Sequence, residues 1–277
     1  VTSGIDTARG VGQPSTTTTA ISLREISMVF GTSGAGARVE ALDSVNLDVA
    51  SGEFVSIIGP SGCGKSTLLR LIGDLLAPTS GNIHVNGKSP RQARLSREYG
   101  MVFQQPVLYE WRTVTQNVQL PLEVMQVPAA DRRARAEELL RLVGLVEFAQ
   151  RYPWELSGGM QQRVSIARAL SFSPSVLLMD EPFGALDEMT RERLNRELLN
   201  IWSDTSTTIV FVTHSIAEAV FLSDRVVVMS PRPGRIEAVL NVDLGRPREA
   251  ETRDAPRFFE LVAEIRRHLR EVEREQS

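Results

Sequence analysis

The chain has 277 residues, 42% of them apolar, a formal net charge of −3 and a single cysteine, Cys63. That length holds one large domain or two small ones around a substantial core. The mild acidity, with a sequence pI near 5.8, speaks against a nucleic-acid binder, which normally carries a basic field. One cysteine excludes an intrachain disulfide and suits a reducing compartment.

In chain order, residues 1–20 are rich in Ser, Thr and Gly, lack the apolar stretch of a secretory signal, and read as a disordered tail. Ile21 and Leu23, then Ile26, Met28 and Phe30, recur at period two, as do Val45, Leu47 and Val49. Both runs predict strands, joined through a glycine-rich loop at 31–36. Residues 54–58 form a short buried strand, followed by a helix over 65–76. Ile83 and Val85 mark another alternating strand. The runs 176–179, 209–213 and 226–229 are continuously apolar, which suits a parallel sheet covered on both faces.

Residues from about 105 to 160 read instead as an inserted helical subdomain. Thr113 caps its first helix, and a second, over 129–143, is closed by Gly144. Arg132, Arg133 and Arg135 are its solvated face. From 251 the chain reads as a C-terminal helix capped by Asp254, with Pro256 in its first turn. Its stripe of Phe258, Leu261, Val262, Ile265, Leu269 and Val272 packs on the core. No run approaches the roughly 18–20 apolar residues that span a bilayer, so service at a membrane would require docking onto channel-forming subunits.

The chemistry lies in motifs between these elements. Gly59-Pro60-Ser61-Gly62-Cys63-Gly64-Lys65-Ser66-Thr67 fulfils Gly-x-x-x-x-Gly-Lys-Ser between a strand and a helix. Its backbone N–H groups and the helix N-terminus suit phosphates. Lys65 would reach the β- and γ-phosphates, and the Ser66 hydroxyl would ligate Mg²⁺. Cys63 fills space in this loop. The strand at 176–179 delivers Asp180 and Glu181 to its carboxyl end, where open α/β sheets bind ligands. Asp180 would hold Mg²⁺ through water, and Glu181 would deprotonate the attacking water. Ser157 has the character of an N-cap, and Gly158 and Gly159 leave backbone bare for a γ-phosphate. His214, ending the strand at 209–213, projects into the same crevice and would hold the attacking water. His84 and His268 lack such a context and read as structural.

The ordered set of phosphate loop, Gln104, Leu156-Ser157-Gly158-Gly159-Met160-Gln161-Gln162-Arg163-Val164, Asp180-Glu181 and His214 resembles the ATPase subunit of an ABC transporter. The resemblance covers roughly residues 20–240. It implies an α/β P-loop NTPase core with a mostly parallel sheet, an N-terminal antiparallel β subdomain and an inserted helical subdomain. It assigns 21–250 to one ATPase domain binding ATP and Mg²⁺. Gln104, which the family spacing favours over its neighbour Gln105, then touches Mg²⁺ or the water and moves with the helical part. Asp187 belongs to a loop that reports across a dimer, and Phe30 stacks on adenine, although a ring ending a strand suits a core equally well. The signature at Ser157 would face the phosphate loop of a second copy, giving a head-to-tail dimer with two shared ATP molecules. Met160, where many members carry Gln, is a departure, and so is Gly73-Asp74-Leu75, where Ala-Gly-Leu is usual.

Met229-Ser230-Pro231-Arg232-Pro233-Gly234-Arg235-Ile236, Thr213-His214-Ser215 and Tyr152-Pro153-Trp154-Glu155 are similar to the nitrate/sulfonate/taurine importer branch. The sugar-importer type, with an added C-terminal β-domain, does not match. The branch implies a peripheral place on the cytoplasmic face of the membrane, with permease subunits and, indirectly, a solute-binding protein as partners. Tyr109 and Trp111 either receive the permease or are buried in the helical subdomain. The alternative is a soluble ABC ATPase acting on nucleic acid or ribosomes, against which stand the absent coiled-coil insertion and zinc-hook cysteines. A nucleotide-binding regulator without turnover is disfavoured by Glu181.

Overall fold

The strands sort into two sheets according to their apolar pattern. The computed structural model describes residues 18–31, 38–184 and 186–274; residues 1–17 of the expected tail, and the expected loop from 32 onward, lie outside these. β1 (Thr19–Phe30), β2 (Val39–Ala50) and β4 (Ser80–Val85) form an antiparallel sheet in the order β2-β1-β4. The apolar positions of β1 step by three only between Leu23 and Ile26. At that step the pairing slips: Leu23 faces Leu47 and Ile26 faces Val45, while Glu25 takes a φ of 53°. The bulge restores the phase, so Ile21, Leu23, Ile26 and Met28 are all buried.

The second sheet runs β5-β6-β7-β3-β8-β9. Its strands β3 (Phe54–Ile58), β5 (Tyr99–Val102), β6 (Val176–Asp180), β7 (Thr208–Val212) and β8 (Arg225–Met229) are parallel, and β9 (Ile236–Asn241) is an antiparallel edge. Phe54, Leu177, Met179 and Phe211 enter the core on one face. Val55, Leu178, Val210 and Val212 enter the core on the other. Such double burial leaves no polar alternation, and each side chain removed from water contributes about 1.5–3 kcal/mol.

Helix α1 (Lys65–Ile72) lies between the sheets, its Leu68, Leu69, Leu71 and Ile72 sharing a core with β1 and β2. It stops short of the expected 76 because Asp74 takes a φ of 50° and the Leu75 N–H folds back onto the Arg70 carbonyl at 2.8 Å. Asp74 then pairs with Arg94 at 2.9 Å, and the Tyr99 hydroxyl donates to the Gly73 carbonyl. The departure at Gly73-Asp74-Leu75 is therefore a built helix end. Helix α2 (Pro90–Leu95), which supplies Arg94, carries no strong apolar period and was not foreseen.

After β5 come α3 (Val114–Val124) and α4 (Ala129–Leu142), within the expected helical insert, and α5 (Gly158–Leu170), which begins at its end and runs on to 170. Thr113 caps α3 in a reciprocal box with Gln116, and Gly144 with φ 65° closes α4. One expectation fails here. Arg133 is exposed, but Arg132 and Arg135 are half-buried. Arg135 donates to the carbonyls of Leu170 and Ser171 and to Ser173 Oγ, where it supplies donors to the C-terminal end of α5.

Three further helices complete the described chain: α6 (Glu188–Thr205), α7 (Ile216–Leu222) and α8 (Pro256–Arg274). The α8 stripe is seated, with Phe258, Leu261 and Ile265 in the core beside β8 and α7. Asp254 does not cap it. That residue ends a short 3₁₀ turn, and the Phe258 N–H is taken by the Ala255 carbonyl instead.

Candidate functional site

The carboxyl ends of β3 and β6 open into one cleft of about 490 Å³, lined by Phe30, Ala41, Gly62, Lys65, Ser66, Gln104 and Glu181 among others. The phosphate loop, residues 59–67, joins β3 to α1. Gly64 takes a φ of 107°, and a Cβ there would lie 2.6 Å from Leu42 Cδ2, so only glycine fits beneath β2. Lys65 is buried, and its ammonium donates to the carbonyls of Gly59 at 2.8 Å and Pro60 at 2.9 Å. Cys63 is buried under the same loop, and burial pushes its thiol up, as befits a space-filler.

Ser66 Oγ donates to Asp180 Oδ1 at 2.8 Å. Asp180 is buried, and loss of solvent raises its carboxyl from the ordinary value against the opposing Ser66 bond. A hydroxyl and a carboxylate so joined are hard oxygen donors. Two protein oxygens are what Mg²⁺ takes when phosphates and water complete its shell, so the pair fits that ion.

Glu181 leaves β6 in the left-handed region at φ 43°, its N–H held by the Val212 carbonyl. That conformation costs a non-glycine residue about 1–3 kcal/mol and turns the side chain toward its neighbours. Its Oε2 lies 3.3 Å from His214 Nδ1 and 3.5 Å from Gln104 Nε2. Three residues chosen from distant motifs thus meet at one carboxylate oxygen. Phe30, 39% exposed, is on the cleft wall and not in the core.

Ser157, Gly158, Gly159 and Asp187 lie elsewhere. They line a separate hollow of about 270 Å³ with Arg163 and Thr190, which shares no residue with the first cleft. Ser157 caps α5 by accepting from the Met160 N–H at 3.4 Å. Gly158 has open space around it, whereas a Cβ at Gly159 would crowd Thr190 at 3.2 Å. Asp187 caps α6, and the Thr190 N–H holds its carboxyl below the usual range. Its neighbour Ala185 is outside the described residues.

A sequence model of the ABC transporter family matches residues 42–184, just over half of the 277. The chain belongs to the ABC transporter family. As an ABC ATPase, it is 50% identical over 251 residues to a taurine import ATP-binding protein of Rhizobium johnstonii, covering 88% of this chain and 95% of that protein. A nitrate import ATP-binding protein of Synechocystis is 46% identical over 247 residues, 86% of this chain and 91% of the relative. These are members of the importer branch that the motifs at 213–215 and 229–236 resemble. Among solved structures, a dimeric post-hydrolysis state of an ATP-binding cassette bound to ADP and phosphate superposes with a TM-score of 0.72 and 36% identity. It covers 80% of this chain and 98% of that one.

The ABC ATPase also holds a polar link that its motifs did not reveal. The Thr213 hydroxyl donates to Glu218 Oε2, Glu218 Oε1 lies 3.8 Å from Arg191 Nε, and Arg191 Nη2 donates to the Leu186 carbonyl at 2.9 Å. It joins the backbone beside Asp187 to that beside His214. The spacing of Glu218 four residues after His214 was the available signal. Burial raises the Glu218 carboxyl, and the residue is only 5% exposed. Glu218→Ala should cost about 1–3 kcal/mol, because it takes the acceptor from the buried Thr213 hydroxyl. Urea unfolding measures it, and a loss under about 1 kcal/mol would reduce the link to surface value.

Proposed function

We propose that this ABC ATPase energises a membrane importer of a small solute of the taurine, sulfonate or nitrate kind, working as a head-to-tail dimer with two shared ATP sites. One observation carries the dimer: the phosphate-loop cleft and the Ser157 hollow belong to one chain yet share no residue. Each is half of a site. A second copy, inverted, would bring its Ser157, Gly158 and Gly159 to the triphosphate held by the first, with Asp187 beside them.

In this reading the loop amides and Lys65 bind the phosphates, and Phe30 stacks on adenine. Ser66 and Asp180 hold Mg²⁺, which when bound offsets phosphate charge, with Gln104 reaching it or the water. Glu181 accepts the proton of the attacking water, while His214 and Gln104, both within reach of its Oε2, fix where that water sits. ATP drives closure only through tighter binding to the closed pair, supplied by the partner's signature amides.

The surface for permease subunits is a second groove, of about 640 Å³, lined by Met101, Tyr109, Trp111, Leu120, Val124 and Met125. Tyr109 and Trp111 are 41% and 71% exposed and stack edge-to-face at 5.0 Å. Exposed aromatics of this kind suit an interface hot spot. Among the described residues no helix is long and apolar enough to cross a membrane, and the chain would sit peripherally on the cytoplasmic face. A nucleic-acid role gains nothing from a net charge of −3.

Ser157→Arg tests the shared site. It should abolish turnover while leaving ATP binding by a single copy unchanged; hydrolysis at the normal rate would rule the arrangement out. The solute class is tested by purifying the ATPase with its permease and binding protein. Taurine, alkanesulfonates and nitrate are then compared for stimulation of ATP hydrolysis.

A further inference from the structure

The turn between β8 and β9 carries Pro231-Arg232-Pro233-Gly234-Arg235, a motif that neither catalysis nor the shared site uses. The structure lays this turn directly on the phosphate loop. Arg232 donates through both Nε, at 3.2 Å, and Nη2, at 3.0 Å, to the carbonyl of Gly62. A Cβ on Gly234 would stand 2.0 Å from the Cys63 carbonyl oxygen, so the two backbones meet where no side chain fits. Gly234 also exchanges hydrogen bonds with β2, donating to Ala41 and accepting from Asp43, and Arg235 pairs with the Asp43 carboxylate. The turn therefore joins the phosphate loop to the strand next to Phe30.

From this contact we infer that Arg232 is a positioning residue for nucleotide binding, holding the crest of the phosphate loop by the Gly62 carbonyl and adding positive charge at the mouth of the cleft. The inference rests on the phosphate-loop reading above. A trans peptide points its N–H opposite to its carbonyl. Drawing the Gly62 carbonyl outward to Arg232 therefore fixes the Cys63 N–H on the loop side, where it meets the Pro60 carbonyl at 3.3 Å. That turn shapes the loop before any phosphate arrives. Arg232 also lines the same cleft as Phe30, Lys65 and Ser66, so its guanidinium lies within the field that an incoming triphosphate meets. Arginine suits both tasks, since its planar fork keeps two donors on one oxygen and its charge is permanent. A lysine would keep the charge and lose the fork.

Direct ATP binding to the purified chain, by calorimetry, separates the possibilities. Arg232→Ala should weaken ATP binding about tenfold, the range for one charge-assisted contact, with an unchanged thermal midpoint because the residue is exposed. Arg232→Lys should recover part of the loss. Turnover at saturating ATP, measured with the permease present, should stay within about twofold, so that the effect falls on KM and not kcat. Wild-type ATP affinity in Arg232→Ala overturns the proposal, as does an affinity loss matched by a lowered thermal midpoint or by full recovery with lysine. Lys65→Ala serves as the control. If it loses binding while Arg232→Ala does not, only the present inference falls; if neither variant loses binding, the phosphate-loop reading falls with it.

Discussion

Glu181→Gln binds ATP as the parent chain does, hydrolyses it about 10²–10⁴ times more slowly, the contribution of a positioned base, and accumulates as an ATP-bound dimer. The substitution keeps the shape and the contacts to His214 Nδ1 and Gln104 Nε2, which lie 3.3 and 3.5 Å from the carboxylate oxygen. It removes the carboxylate charge and with it the capacity to take a proton. A dimer that closes on ATP and reopens on hydrolysis is then held at the closed stage. Single-turnover kinetics with size-exclusion chromatography in ATP measure both effects. Parental hydrolysis would dismiss Glu181 as the base, whereas a lost rate with no dimer would separate catalysis from closure.

Lys65→Ala should lose nucleotide affinity by about 100-fold, from a charge and its two hydrogen-bonding directions. The ammonium already lies along the loop, bonded to the Gly59 and Pro60 carbonyls, so its donors are preset beside the phosphate path. Because Lys65 is buried, alanine also opens the loop from beneath. Calorimetric titration with ATP reports the loss directly, and retained affinity would remove the phosphate-loop reading.

Much of the fold was legible because the strongest signals are local. Strand β1 follows from its period-two positions and the buried strands β3, β6, β7 and β8 from apolar runs without alternation, whereas the bulge between Leu23 and Ile26 is set by the pairing with β2. Helix α2, strand β5 and strand β9 are short and only partly covered, so their sequences lack a clear period. Helix α6 is charged through its first two turns and α7 spans only Ile216–Leu222, so neither shows a clear apolar stripe in sequence. Asp254 looked like a cap by residue type, yet a 3₁₀ turn placed Ala255 at that position. Arg135 looked solvated by composition, but the carbonyls it serves come from the end of another helix.

The sequence alone determined the chemistry of the phosphate loop, the acidic pair after β6 and the signature cap at Ser157. In these segments a few consecutive residues set both backbone shape and functional groups. Only the tertiary structure decided that Glu181, His214 and Gln104 converge, that Phe30 faces the cleft, and that Arg232 grips Gly62. Each of these contacts joins segments far apart along the chain, and their distances follow from sheet order and packing, which no local pattern encodes. The separation of the Ser157 hollow from the phosphate loop is of the same kind: two hollows on one chain that share no lining residue, placed apart by the fold.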